Sequence, residues 1–194
     1  RRVEEWKYTD LRARMRAVMP PAERPSADAA AYALSALADP LDGVERWRLV
    51  LVDGYFFDEL SDRAALLEAG VEVASLAELL GFDGAASADL LDVADGGGDP
   101  VIALNAAFAT DGVVINVAAD ASPAQPIEIV NVVTDSGASA AVTARNRVVV
   151  GNGASVQIVE THRGPAGGGY QINTLSSLDI GDNARAVWTR VQQE

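Results

Sequence analysis

A short motif occurs twice near the end of the chain and limits what it can fold into. Gly151-Asn152-Gly153-Ala154-Ser155-Val156-Gln157-Ile158-Val159 is echoed 30 positions later by Gly181-Asp182-Asn183-Ala184-Arg185-Ala186-Val187-Trp188-Thr189. Glycine holds the first place and alanine the fourth in both copies, with a turn-prone pair between them that tolerates left-handed backbone. A strand follows each copy. Self-similarity at such a period is the mark of a coil whose turns stack on one another. Each rung buries its inward side chains against its neighbours, so Val148, Val150, Val156, Ile158, Leu178 and Ile180 are the candidate core. The same spacing is also compatible with a jelly roll or a sandwich.

The rest of the second half agrees with a strand-rich reading. Strands are expected at 112–117, 126–134, 140–150, 155–162, 170–180 and 184–191, after a short helix over 101–108. Few are joined by the Asn-Gly turns of hairpins. The chain then ends at Gln192-Gln193-Glu194, directly after a strand. An open rung presents unpaired N–H and C=O groups together with bare core. The reading is therefore of a fragment, or of an end that another molecule covers, with strand 184–191 pairing with a second chain.

The first half reads as mixed α/β. A helix is expected over 9–19, capped by Thr9 or Asp10, with Leu11, Met15 and Val18 on one face and Pro20-Pro21 as its stop. A second helix runs from about 26 to 38, with Ser26 as cap and Pro40 as stop. Trp47 to Val52, then Asp53-Gly54, then Tyr55-Phe56-Phe57 is a strong hairpin signal. A short strand at 71–73 precedes a helix capped by Ser75 that reaches about residue 80, and another short helix covers 86–93. Gly96-Gly97-Gly98-Asp99-Pro100 is the clearest boundary and divides the chain into 1–98 and 99–194.

Composition narrows the function. Of 194 residues, 49% are hydrophobic, which is enough for a real core. There is no apolar run of membrane-spanning length, and Arg1-Arg2-Val3-Glu4-Glu5-Trp6 is not the apolar start of a signal peptide. Cytosol is the default compartment. With no cysteine there is no disulfide, thiolate ligand or thiol nucleophile. A formal charge of −13 argues against general nucleic-acid affinity. The basic start, with Arg1, Arg2, Lys7, Arg12, Arg14 and Arg16, reads as a solvated helix face or as a docking patch for an acidic partner.

Few groups are placed for chemistry. His162 is the only histidine, with Glu160 two residues before it on the same strand face. Two ligands do not make a structural zinc site, and the ordinary reading is a strand-end histidine. Gly164-Pro165-Ala166-Gly167-Gly168-Gly169 leads into a strand and lacks the lysine of a phosphate loop; Gly96 to Gly98 fails the same test. Acid pairs such as Asp58 with Glu59, or Asp89 with Asp92, raise the possibility of a carbohydrate-active β-helix enzyme. Such enzymes line a groove with acids, bases and aromatics. Here the aromatics are Tyr170 and Trp188, and Arg145, Arg147, Arg163, Arg185 and Arg190 are scattered. No Gly-x-Ser-x-Gly elbow exists for a Ser-His-Asp triad. No catalytic, cofactor-binding or metal residue is assigned.

Several segments, in order, resemble the SufD family of the SUF iron–sulfur cluster assembly system. They are Glu5-Trp6-Lys7-Tyr8-Thr9-Asp10-Leu11, then Leu49-Val50-Leu51-Val52-Asp53-Gly54-Tyr55-Phe56 with Leu60-Ser61, then Ala103-Leu104-Asn105-Ala106-Ala107-Phe108-Ala109-Thr110-Asp111-Gly112, then Pro126-Ile127. The run from Arg147 through Gly151, Ala154 and Val159-Glu160-Thr161-His162 is similar to the family's first solenoid turns. The resemblance implies a small N-terminal α/β domain followed by the first turns of a right-handed parallel β-helix, a single-stranded solenoid. It also implies a non-catalytic scaffold subunit that pairs with a SufB-like paralog and a SufC-like ABC ATPase. The cluster would be handled by the complex, with no cofactor in this fragment. The Glu-Trp-Lys-Tyr-Thr run favours SufD over a SufB-like paralog. The sequence departs from the family by starting inside the N-terminal domain and ending part-way through the β-helix, before the domain that docks the ATPase. No family site residue is carried over, and the motif position of His162 brings no role with it.

Overall fold

The computed structural model describes residues 10, 13, 16, 18–82, 99–134, 139–166 and 169–192. Most of the expected helix over 9–19, all of that over 86–93, and the Gly96 to Gly98 boundary lie outside the described residues. Helix α1 (Ala27–Ala36) starts where Ser26 Oγ accepts from the Ala29 amide at 3.2 Å. This offsets one of the free N–H groups of the first turn. Strands β1 (Trp47–Val52) and β2 (Tyr55–Phe57) form the expected hairpin. Asp53 and Gly54 both adopt positive φ (51° and 86°), as a two-residue turn of matching twist requires. A 3₁₀ turn (Asp58–Leu60) and helix α2 (Arg63–Glu68) follow, which no sequence signal announces. Strand β3 (Val71–Ser75) runs straight into α3 (Leu76–Phe82), whose first turn Ser75 Oγ caps at Glu78 N (3.2 Å). Helix α4 (Pro100–Phe108) has Asp99 as cap and proline in its first turn.

The remaining strands are β4 (Val113–Val117), β5 (Ile127–Val132), β6 (Ala140–Val150), β7 (Ser155–Arg163), β8 (Tyr170–Ile180) and β9 (Arg185–Gln192). They fall within a residue or two of the expected positions. The fold is mixed α/β, mostly strand, with two sheets. One has the order β2-β1-β5-β7-β9, the other β3-β4-β6-β8. From β4 onward the chain alternates between the sheets. From β5 on, each strand is parallel to the one it joins, as at Ile127↔Ile158, Ala140↔Tyr170 and Ser155↔Arg185. Strands that precede residue 83 join the same sheets, β1 beside β5 and β3 beside β4.

The alternation of strand side chains fills the space between the sheets with Leu49, Leu51, Ile115, Ile127, Ile129, Val148, Val150, Val156 and Ile158. At one edge of this core three turns lie on top of each other. The repeat finds two of them, 151–154 and 181–184. The third is Ala118-Ala119-Asp120-Ala121. Asp120, Gly153 and Asn183 share the left-handed conformation (φ 61°, 71° and 56°). The stack is bonded by Gly151 N to Val117 O (2.9 Å) and Gly181 N to Val150 O (2.8 Å). A Cβ on Gly151 would sit 2.6 Å from Ala119 N, so backbone approach explains the glycine there. One expected core residue is not buried. Ile180 is 52% exposed and Leu178 only half-buried, because β8 is the edge of its sheet, with no described strand beyond it.

Candidate functional site

Strand alternation that turns Ile158 inward also turns Glu160 and His162 inward. Parallel register then sets Trp188 beside Ile158 and Arg190 beside Glu160. The result is a polar cluster at one end of an otherwise apolar interior. Glu160 is wholly buried. Its Oε1 lies 3.0 Å from His162 Nε2. Its Oε2 accepts from Arg190 Nη2 (2.8 Å) and Nε (3.2 Å), from Trp188 Nε1 (3.2 Å), and at longer range from Ser176 Oγ on the opposite sheet (3.5 Å). Asn146 continues the polar layer, donating to Ser176 Oγ (3.4 Å) and accepting from Val113 N (3.1 Å).

The chemistry of this arrangement is that of a satisfied carboxylate. Burial alone would raise the Glu160 carboxyl. The hydrogen bonds from His162 and Arg190 and the nearby guanidinium charge outweigh that, and hold it below its ordinary value. Ser176 and His162 both bond to the carboxylate, whereas a triad needs the imidazole between the other two groups. The other fully buried acid, Glu128, faces out of the sheet, one position before inward-facing Ile129, so the two acids do not oppose each other across a cleft. Among the described residues no group of three or more His, Cys, Asp or Glu is placed to hold a metal ion.

The cluster makes stability depend on acid. A carboxyl whose folded pKa lies below its unfolded value of about 4.5 stabilises the fold above that pH. The contribution is lost as pH falls through the lower, folded value. Glu160→Gln should therefore reduce stability at neutral pH and flatten its fall in acid. Urea midpoints measured from neutrality to below pH 4 check both, and an acid limb as steep as wild type would contradict the assignment.

The other residues singled out in the sequence fall elsewhere. Asp58 pairs with Arg63 at 3.6 Å on the surface. Arg147 pairs with Asp179 at 3.0 Å. Arg145 is buried and Arg185 is exposed. The described part of the glycine-rich loop leads into β8, and Tyr170 Oη donates back to Pro165 O (3.3 Å). Asp89, Asp92 and the Glu5 to Thr9 run lie outside the described residues.

One cluster escapes the sequence reading. On the outer face of the larger sheet, Glu128 accepts from Arg46 Nε (2.5 Å), Arg163 Nη2 (2.8 Å) and Thr161 Oγ1 (2.7 Å). Both arginines also bond Asp39. Glu128 and Arg163 are buried, and Arg46 is nearly so. Alternation makes Glu128 an outward residue of β5. The segment 37–46 covers it, and no local pattern reveals that.

The SufBD protein N-terminal region matches residues 1–129. A comparison with curated proteins returns no match. The matched stretch holds both antiparallel pairs and the start of the parallel ladders, and it makes up most of the chain. The chain belongs to the SufB/SufD family, whose N-terminal region links it to SUF iron–sulfur cluster assembly.

Proposed function

We propose that the chain is part of a SufD-type subunit, a non-catalytic scaffold that works through protein contacts in the cytoplasm. In this reading β4 to β9 are the first turns of a right-handed parallel β-helix. The subunit pairs with a SufB-like paralog and a SufC-like ATPase, and the iron–sulfur cluster is cargo of the complex. The observation that carries the reading is the way the strands are stacked. Parallel ladders at a spacing of about 30 residues build a rigid two-sheet body, and β8 and β9 leave a paired edge to which further strands can add. The polar interior supports the non-catalytic part, since Glu160 is already matched by Arg190, His162 and Trp188.

Affinity capture of the full-length protein, expressed with a SufB-like subunit and its ATPase, tests this. A stable complex of all three is expected. Failure to associate when both partners are present and folded would refute the scaffold role. A cluster held by the full-length protein alone would favour a SufB-type subunit instead.

A further inference from the structure

The segment from residue 25 to residue 45 is anchored at both ends and lightly held between them. Before it, Ala22 N donates to Ala141 O (2.9 Å), Ala141 N donates to Pro20 O (2.8 Å), and Tyr55 Oη donates to Ala22 O (3.0 Å). After it, Trp47 N donates to Pro126 O (3.0 Å). In between, α1 buries Ala30 and Ala33 against Val50, Val52, Val130 and Val132, and Leu34 and Leu37 pack there only partly buried. Two alanines and two part-buried leucines make a modest apolar contact, and a ten-residue helix is not stable alone.

Arg46 Nη1 donates to Leu41 O (2.8 Å) and Val44 O (2.7 Å) near the segment's end, and the polar contact nearest α1 is made by Asp39. Its Oδ1 accepts from Arg163 Nη2 (3.0 Å) and its Oδ2 from Arg46 Nη2. Both arginines also bond Glu128, which holds them on the sheet independently of Asp39's own contacts. Two guanidiniums and two carboxylates balance. Without Asp39 the cluster holds one net positive charge on a mostly buried face, where Arg163 Nε already has no hydrogen-bond partner among the described residues. Asp39 itself is partly open to solvent, with 27% of its side chain exposed, so ions in solution reach the contact.

From this geometry we infer that residues 25–45 form a lid whose catch is Asp39, and that an oxyanion replacing Asp39 between Arg46 and Arg163 holds the lid open. Opening uncovers the apolar outer face of β1 and β5 and leaves the two sheets intact. Bidentate donors of this kind suit carboxylate and phosphate alike. The lid stands apart from the scaffold reading, because it depends only on contacts within the chain.

Amide hydrogen exchange on the folded protein, with inorganic phosphate as the probe, tests the idea. Asp39→Asn removes the charge at a partly exposed position and leaves Glu128 paired. It should speed exchange across Ala27–Ala36 by about ten-fold or more, with β5 and β7 unchanged. In wild type, phosphate should speed the same amides, and chloride at equal ionic strength should not. If α1, β5 and β7 accelerate together in the variant, or if none does, the lid is refuted. Equal wild-type rates in phosphate and chloride would overturn the anion exchange. Asp39→Asn should also melt at a higher temperature in phosphate than in chloride, as the vacated site takes up the anion.

Discussion

Replacing Glu128 with alanine should bring the folded protein close to unfolding. The carboxylate is fully buried and receives Arg46, Arg163 and Thr161. Its removal leaves two guanidiniums to share the single carboxylate of Asp39, on a face that the 37–46 segment shields from water. Breaking a buried pair from one side costs about 3–5 kcal/mol. A domain of ordinary stability has only about 5–15 kcal/mol in total. The loss comes mostly from what is left unpaired, and that part can be tested. Replacing both partners with apolar residues, Glu128→Leu with Arg163→Met, should recover about half of the loss or more, because the buried charge leaves together with its counter-charge. Arg46 keeps Asp39 and the carbonyls of Leu41 and Val44 in that variant. Urea midpoints of the wild type, both single variants and the double variant give the coupling. If the double variant is as unstable as the two single losses added together, the pairing argument fails.

The contrast between Glu128 and Glu160 shows how much of this molecule is legible in its sequence. The strands of the second half are, because period-two burial and a recurring Gly-x-x-Ala turn are local signals. The expected ranges 140–150 and 170–180 coincide with β6 and β8. The surroundings of Glu160 are also implicit. An offset of 30 places Arg190 beside Glu160 and Trp188 beside Ile158, as the register has them. The third turn, Ala118 to Ala121, is harder to see. It has alanine where the others have glycine, and it lies 33 positions before its neighbour instead of 30. Helix α2 is six residues long and buries only Leu66, so it has no face to announce it. The partners of the outer cluster are not legible. Asp39 and Arg163 are 124 positions apart, and Arg46 and Glu128 are 82 apart. Alternation alone assigns Glu128 to solvent. The one local hint is an acid in the run Ile127-Glu128-Ile129-Val130-Asn131-Val132, where every other side chain is also buried.

Asp111 should be the other position with a large effect, for a different reason. It is 2% exposed and joins three parts of the chain through its side chain alone. Its Oδ1 accepts from Ser75 Oγ (2.8 Å), Ala77 N (3.0 Å) and Gly112 N (2.8 Å), and its Oδ2 accepts from Phe56 N (3.0 Å). One carboxylate thus ties β2, the β3–α3 junction and the start of β4. Arg24 Nη1 lies 3.8 Å from Oδ2, but its side chain is half exposed, so that pair adds little. Alanine would leave three backbone N–H groups and a hydroxyl without their acceptor, at about 1–3 kcal/mol for each that stays buried and unpaired. Water will reach some of them, so the expected loss is about 3–5 kcal/mol in all. Asparagine keeps one acceptor oxygen and turns an amide toward one set of donors, so it should lose less than alanine, yet clearly more than a surface change. Urea unfolding gives the order wild type, Asp111→Asn, Asp111→Ala. Hydrogen exchange locates the damage, with Phe56 and Ala77 amides quickening before those of β7. If asparagine matches wild type, the charge on Asp111 is unimportant and the shape of the side chain suffices. If alanine does too, the three segments are held by the neighbouring apolar contacts of Phe56, Val73 and Val113 instead.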